Sequence, residues 1–290
     1  MKRIAIILVV LGICVGSWGQ DKPAAQNPPA GQAAGQGASQ TAAPQGKRPP
    51  KINSQEEYAA YQAAVKVADP AECEKAANDF AAKYPASEVR TIVYRAAMTH
   101  YEQANNSDKT VEVAKKVLAI DPDDPEALVA VAQVEADQTK DDSLDKDQRL
   151  ADAKKGAERA LVTVDTDIPT GGYPEEALKN YKNFIRSQAY FVIGTAAFKA
   201  SNWPEAETNL KKSIDALPQS PDVIAVYRLA LSLDFQNKIP EALKAAQQAV
   251  DLTKDSPDSP AGKAARQEQD RLMKYSTTGT SGQAGTPPKN

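Results

Sequence analysis

The sequence predicts an all-α protein assembled as a stack of short helix pairs. Three observations point there. From Ser54 to Tyr275 apolar residues recur at helical spacing in an alanine-rich background, and nothing alternates with period two for long enough to make a strand. Helix starts are spelled out by a capping side chain, a proline and an acid in succession. Blocks of sequence also return at a near-fixed interval. Asn-Trp-Pro-Glu-Ala at 202–206 reappears as Lys-Ile-Pro-Glu-Ala at 238–242, and Lys-Tyr-Pro at 83–85 as Ile-Asp-Pro at 120–122, which is 36 and 37 residues on. A period in that range marks a repeat architecture.

The first fifty residues lie outside this pattern. Lys2 and Arg3 precede twelve apolar residues from Ile4 to Val15, and Ser17 and Gly19 supply small side chains before Gln20. These are the three parts of a secretory signal cleaved between Gly19 and Gln20. The apolar run is well short of the ~20 residues that a membrane-spanning helix needs. Leu11-Gly12-Ile13-Cys14 approximates a lipidation motif, but bulky Ile13 stands where a small residue is wanted, so an anchor on Cys14 is not expected. The expected address is export, to the periplasm or beyond. Residues 20–50 are mostly Ala, Gln, Gly and Pro, the composition of a disordered tether, and residues 276–290 have the character of a frayed tail.

Composition excludes much chemistry. Of 290 residues 41% are apolar and 25% charged, which suits a chain with a substantial core. One histidine and two cysteines cannot furnish a histidine-rich or multi-cysteine metal centre, or a disulfide framework. No metal and no cofactor are expected. The formal charge of −3 becomes −5 without Lys2 and Arg3, and residues 51–276 carry −8 once the few charges of tether and tail are set aside. An acidic body argues against nucleic acid or an anionic membrane as the partner.

Helix boundaries follow in order. Asp69-Pro70-Ala71-Glu72, Asp124-Pro125-Glu126, Ser220-Pro221-Asp222 and Ser259-Pro260 each place a cap before a proline at the first helical position, where its missing amide costs nothing. Asn202 with Glu205 makes a capping box. Residues 137–149 read as a solvated insertion; residues 174–200 make either one unusually long helix or a separate helix over 175–181 running into the next. Residues 261–275 read as a terminal helix with a polar outer face, carrying Lys263, Arg266, Glu268, Asp270 and Arg271.

The unit from Ser187 to Ser220, with Tyr190, Ile193, Gly194, Ala206, Leu210, Ser213 and Pro218, resembles a tetratricopeptide repeat (TPR), a 34-residue helix–turn–helix. Weaker units in the same register start at Ser54 (Cys73, Ala77, Phe80, Pro85), Thr91 (Tyr94, Tyr101, Ala114, Val117, Pro122), Pro125 (Leu128, Val131, Ala132, then Ala153, Ala157 and Ala160) and Val223 (Leu229, Ala230, Leu233, Ala242, Ala249). The resemblance implies a right-handed α-α superhelix of about five helix pairs plus a C-terminal capping helix. It also implies a non-catalytic protein of the exported bacterial type, whose concave groove takes a protein or peptide ligand.

Carried onto this sequence, the family's groove positions fall on Tyr58, Gln62 and Lys66, then on Arg95, Thr99, Glu102 and Gln103, and on Gln133. Further along they fall on Phe191, Thr195, Phe198 and Lys199, and finally on Tyr227, Asp234 and Phe235. The early end is polar and the late end aromatic, which suits an extended ligand with one acidic and one apolar segment; filling of the core between repeats is the equal alternative for the aromatics. The Lys/Asn/Arg clamp by which some members grip a C-terminal carboxylate is absent. A structural subunit of an envelope or secretion assembly, and an accessory that docks an enzyme through the 137–149 insertion, are the other readings. His100 has no nucleophile motif to serve, Cys73 stands where a small hydrophobe is wanted, and Trp203 occupies a packing position of the turn. The acids between Asp141 and Asp147 lack the glycine and the final glutamate of a calcium loop.

Overall fold

The computed structural model describes residues 46–171 and 174–278. The expected leader, most of the tether and the tail beyond 278 lie outside them. Five helix pairs follow one another: α1 Gln55–Val65 with α2 Pro70–Lys83, α3 Arg90–Gln103 with α4 Ser107–Ile120, and α5 Pro125–Gln138 with α6 Lys146–Thr166. Next come α7 Glu175–Lys199 with α8 Trp203–Ala216, then α9 Val223–Phe235 with α10 Ile239–Leu252, and α11 Pro260–Thr278 closes the stack. No strand occurs among the described residues.

Local chemistry explains the starts. Ser54, Asp69, Asn106, Asp124, Asn202 and Asp222 each turn a side-chain oxygen onto first-turn amides of the helix that follows, contacts whose loss typically costs about 1 kcal/mol apiece. Before α9 the cap is Asp222 rather than Ser220, because its carboxylate takes the amides of both Ile224 (2.7 Å) and Ala225 (3.2 Å). Turns within pairs repeat as well. Asn105, Ser201 and Asn237 have φ of 55°, 58° and 59°. Behind them the amides of Asn106, Asn202 and Lys238 reach back to the carbonyls of Tyr101, Ala197 and Leu233 at 2.8–2.9 Å. This is one helix-ending turn, used three times.

Each helix packs on the next, and the first helices of successive pairs also touch: α1 with α3, α5 with α7, α7 with α9, and α9 with α11. Second helices make no comparable contact with one another. In a curved stack the row whose members approach lies on the shorter arc, so the odd-numbered helices line the inner face.

Small residues set these distances. Ala77, Ala97, Ala114, Ala153, Ala157, Ala206, Ala230 and Ala246 are fully buried. A Cβ on Gly194 of α7 would stand 2.8 Å from Leu210 Cγ and 3.1 Å from its backbone nitrogen on α8. The core passes from pair to pair, first around Val93, Met98 and Val113, then Ile185 and Val192, then Leu210, Leu229 and Leu233. The outer row is bridged by charge. Glu74 of α2 accepts from Tyr101 (2.8 Å), Lys116 (2.6 Å) and Lys109 (3.3 Å). Burial alone would raise the Glu74 carboxyl, but hydrogen bonds from Lys116 and Tyr101 hold it down at about 2.

At four places the structure goes beyond the sequence reading. Within the stretch read as a tether, Lys47 is ion-paired with Asp121 and Asp167, and Arg48 with Glu88. Of the two readings of residues 174–200 the unbroken one holds: α7 runs over 25 residues, since Tyr181, Phe184 and Ile185 continue its apolar period onto α5 and α6. Only 139–145 of the proposed insertion lies between helices, because α5 continues through Gln138 and α6 begins at Lys146. The terminal helix runs past Tyr275 to Thr278, and it turns Glu268 and Gln269 inward.

Gly194→Ala should destabilise the protein by about 1–3 kcal/mol, as overpacking of a close crossing does, measured by urea unfolding. For Glu74, the folded value lies below the ordinary 4.5, so its contribution is complete above about pH 4.5 and is lost as pH falls towards 2. Glu74→Gln should therefore lower stability by about 1–3 kcal/mol at pH 7 and flatten the acid limb of a stability–pH curve.

Candidate functional site

Along the inner face the structure places the sequence-derived positions in four settings. At the first end, Gln62 donates to the Tyr58 hydroxyl at 3.0 Å, and Lys66 is the exposed C-cap of α1. Both Tyr58 and Gln62 are half-buried, so this end is polar and open to solvent.

On α3, Arg95 stands between two carboxylates of the next pair, Asp124 at 3.3 Å and Glu126 at 3.4 Å. Thr99, inside the same helix, donates to the Arg95 carbonyl one turn back at 2.9 Å, Glu102 is half-buried and Gln103 exposed. Glu126 in turn accepts from the Tyr181 hydroxyl at 2.7 Å. Burial raises the Asp124 carboxyl despite the opposing pull of Arg95. Burial, reinforced by Glu126, pushes the Tyr181 phenol well above its ordinary value. The additional N-terminal turns of α7 deliver Tyr181 here, outside the projected groove positions.

The middle of the row is deeper. Gln133 of α5 is half-buried, while Phe191, Thr195 and Phe198 of α7 are buried. Arg228 of α9 lies against them: its Nη1 donates to Thr195 Oγ1 at 2.6 Å, its guanidinium stands 5.3 Å from the Phe191 ring centroid, and its Nη2 is 3.8 Å from an Asp137 carboxylate oxygen. Lys199 donates to the carbonyls of Asp137 and Thr139, both at 2.9 Å. Burial lowers both cations below their ordinary values, with Asp137 opposing. A desolvated cation gains most from a carboxylate or another strong acceptor. The sequence projection missed Arg228, although it is the only basic residue in an otherwise largely apolar α9.

At the far end Asp234 is ion-paired with Arg271 of α11, which also binds Glu268 at 2.8 Å. Half-buried Tyr227 packs beside this cluster in the core shared by α9, α10 and α11. Phe235 stacks on Trp203 with ring centroids 4.2 Å apart, and Phe198 meets that indole edge-on at 5.3 Å. Phe198, Trp203 and Phe235 therefore form an interlocked packing cluster, and Asp234 faces a protein cation.

The remaining candidates are quiet. Cys73 is buried, which pushes its thiol up to about 11, and His100 is half-buried on α3. Asp141 pairs with Lys146 at 3.0 Å. Among the described residues no group of three or more His, Cys, Asp or Glu side chains is placed to hold a metal, and no helix is long and apolar enough to cross a membrane.

No family model and no curated protein matches this chain. Among solved structures it is similar to one described as the crystal structure of MamA protein, with 18% identity over 64% of this chain and 87% of that one and a TM-score of 0.40. A second, the crystal structure of MamA, has 16% identity over 62% and 94% and a TM-score of 0.38. The assignment as an α-α repeat solenoid rests on the chain's own helix pairs and their order of contact.

Lys199→Met would leave the Asp137 and Thr139 carbonyls without their cation. It should loosen the 139–145 segment and speed tryptic cutting after Lys140, read by mass spectrometry of timed digests.

Proposed function

We propose that the protein is a non-catalytic scaffold of the bacterial cell envelope that holds a protein or peptide partner along the inner face of its solenoid. Its odd-numbered helices present side chains from several pairs to one continuous surface, a geometry suited to an extended ligand. The observation that carries the reading is Arg228, sunk into the middle of that face with Phe191, Thr195 and Lys199 around it. The cationic station would take an acidic group of the ligand, the half-buried Tyr58 and Gln62 would meet polar backbone, and Arg95 would follow in the same row. Export rests on the leader and cleavage motif of residues 1–19. The acidic balance of residues 51–276 disfavours nucleic acid.

Photo-crosslinking of the mature chain in its native compartment tests this, with probes at Gln62 and Gln133 on the inner row and at Val162 on outer-row α6. Adducts should form at Gln62 and Gln133, and Arg228→Ala should weaken capture about tenfold, the size of a well-placed interface arginine, with an unchanged helical circular dichroism spectrum. Adducts confined to Val162, or capture indifferent to Arg228, would overturn the groove reading in favour of an assembly surface.

A further inference from the structure

Residues 46–51 cross the edge of the stack where one pair passes to the next. Arg48 makes a two-pronged bond to Glu88 in the α2–α3 turn, at 2.6 and 2.8 Å, and the Lys51 amide adds a third contact to the same carboxylate at 2.8 Å. Lys47 bridges Asp121 in the α4–α5 turn (2.5 Å) and Asp167 in the α6–α7 turn (2.8 Å). The Thr170 amide donates to the Lys47 carbonyl at 3.2 Å. Fit is as specific as charge. A Cβ on Gly46 would lie 2.5 Å from Thr170 Cγ2 and 2.7 Å from the Ile168 carbonyl, and one on Gly171 would lie 2.7 Å from Pro49 Cγ. Two glycines thus let the strap and the α6–α7 turn approach each other.

In a solenoid each pair contacts only its neighbours, so small changes in angle accumulate along the stack. This segment instead joins three successive pair boundaries. We propose that residues 46–51 are a latch, binding the acidic ledge of Glu88, Asp121 and Asp167 and thereby setting the curvature of the N-terminal half of the inner face. The chemistry the ledge selects is an extended segment with adjacent basic residues and prolines. Exposed ion pairs contribute little one at a time, and here they are strung on a few consecutive residues with backbone hydrogen bonds between them. The carboxylates differ in their response to acid: hydrogen bonding from Arg48 and from the Lys51 amide holds the Glu88 carboxyl at about 2, whereas burial raises that of Asp167 despite the bond from Lys47. Salt acts on all three carboxylates alike and is the release to test.

Hydrogen exchange and small-angle X-ray scattering on the full chain test the latch. Raising salt from about 0.01 M to about 1 M, where screening falls to a few Å, should speed exchange at the Lys51 and Thr170 amides about tenfold or more, as local opening does, and leave the helix interiors protected. The double variant Lys47→Glu with Arg48→Glu should do the same at low salt and change the radius of gyration. Gly171→Val should reproduce the effect by steric exclusion, without touching a charge. Restoring the Arg48→Glu variant with Glu88→Arg should return protection at Thr170. Unchanged exchange at both amides in the charge and steric variants, or unchanged scattering once they open, would overturn the proposal. None of these readouts involves a ligand, so they stand apart from the groove reading.

Discussion

The distance between neighbouring helix axes governs everything else in this protein, and side chains of one carbon or none decide it. Where Gly194 meets Leu210 a Cβ would stand under 3 Å from the leucine side chain, and one on Gly156 would make a tight 3.3 Å contact with Ala132 Cβ. Alanine at Ala77, Ala114, Ala157, Ala206 and Ala242 keeps the same spacing at the other crossings. Close crossing leaves wedge-shaped gaps between pairs, and Met98, Ile185, Leu210 and Leu233 fill them. Because each wedge is shared by two pairs, no pair is complete alone, and the hydrophobic core is a chain of local clusters instead of one centre.

The two faces of the stack are joined by different forces. On the inner arc the first helices meet directly, except α3 and α5, which Arg95 joins by ion pairs to Asp124 and Glu126. On the outer arc second helices stand apart, and charges cross the gaps: Glu74 to Lys116, Lys154 to Glu205, and Glu207 to Lys238 at the start of α10. Burial works against Glu207, yet bonds from Lys211, Lys238 and Gln236 hold its carboxyl at about 2. Each of these bridges joins a partly exposed lysine to a more sheltered carboxylate.

Helix number, order and most boundaries were legible because they depend on short-range chemistry: caps, prolines and the apolar period. Asp69, Asp124 and Asn202 act as the sequence suggests. The misreadings arose where a neighbour overrode local signals. Nothing within residues 174–200 reveals that α5 and α6 provide a surface long enough to keep α7 whole. The site was less legible than the fold. Projection of groove positions named Arg95 and Lys199, but it could not see that α11 would bring Arg271 to Asp234, or that Phe198, Trp203 and Phe235 would close on one another. Partners of a charged residue are set by the next repeat in space, and one repeat's sequence does not contain them. Arg228 was visible in principle, as a lone cation inside an apolar helix has to find company.

The turn shared by Asn105, Ser201 and Asn237 has an evolutionary corollary. Since the chain turns inside three different pairs along the same backbone path, a gene segment cut at equivalent points of two of them would rejoin first helix to second helix through the same turn. Duplication or loss of a whole unit is thus the cheapest large change open to this lineage, and homologues should differ in length by whole helix pairs more readily than by parts of one.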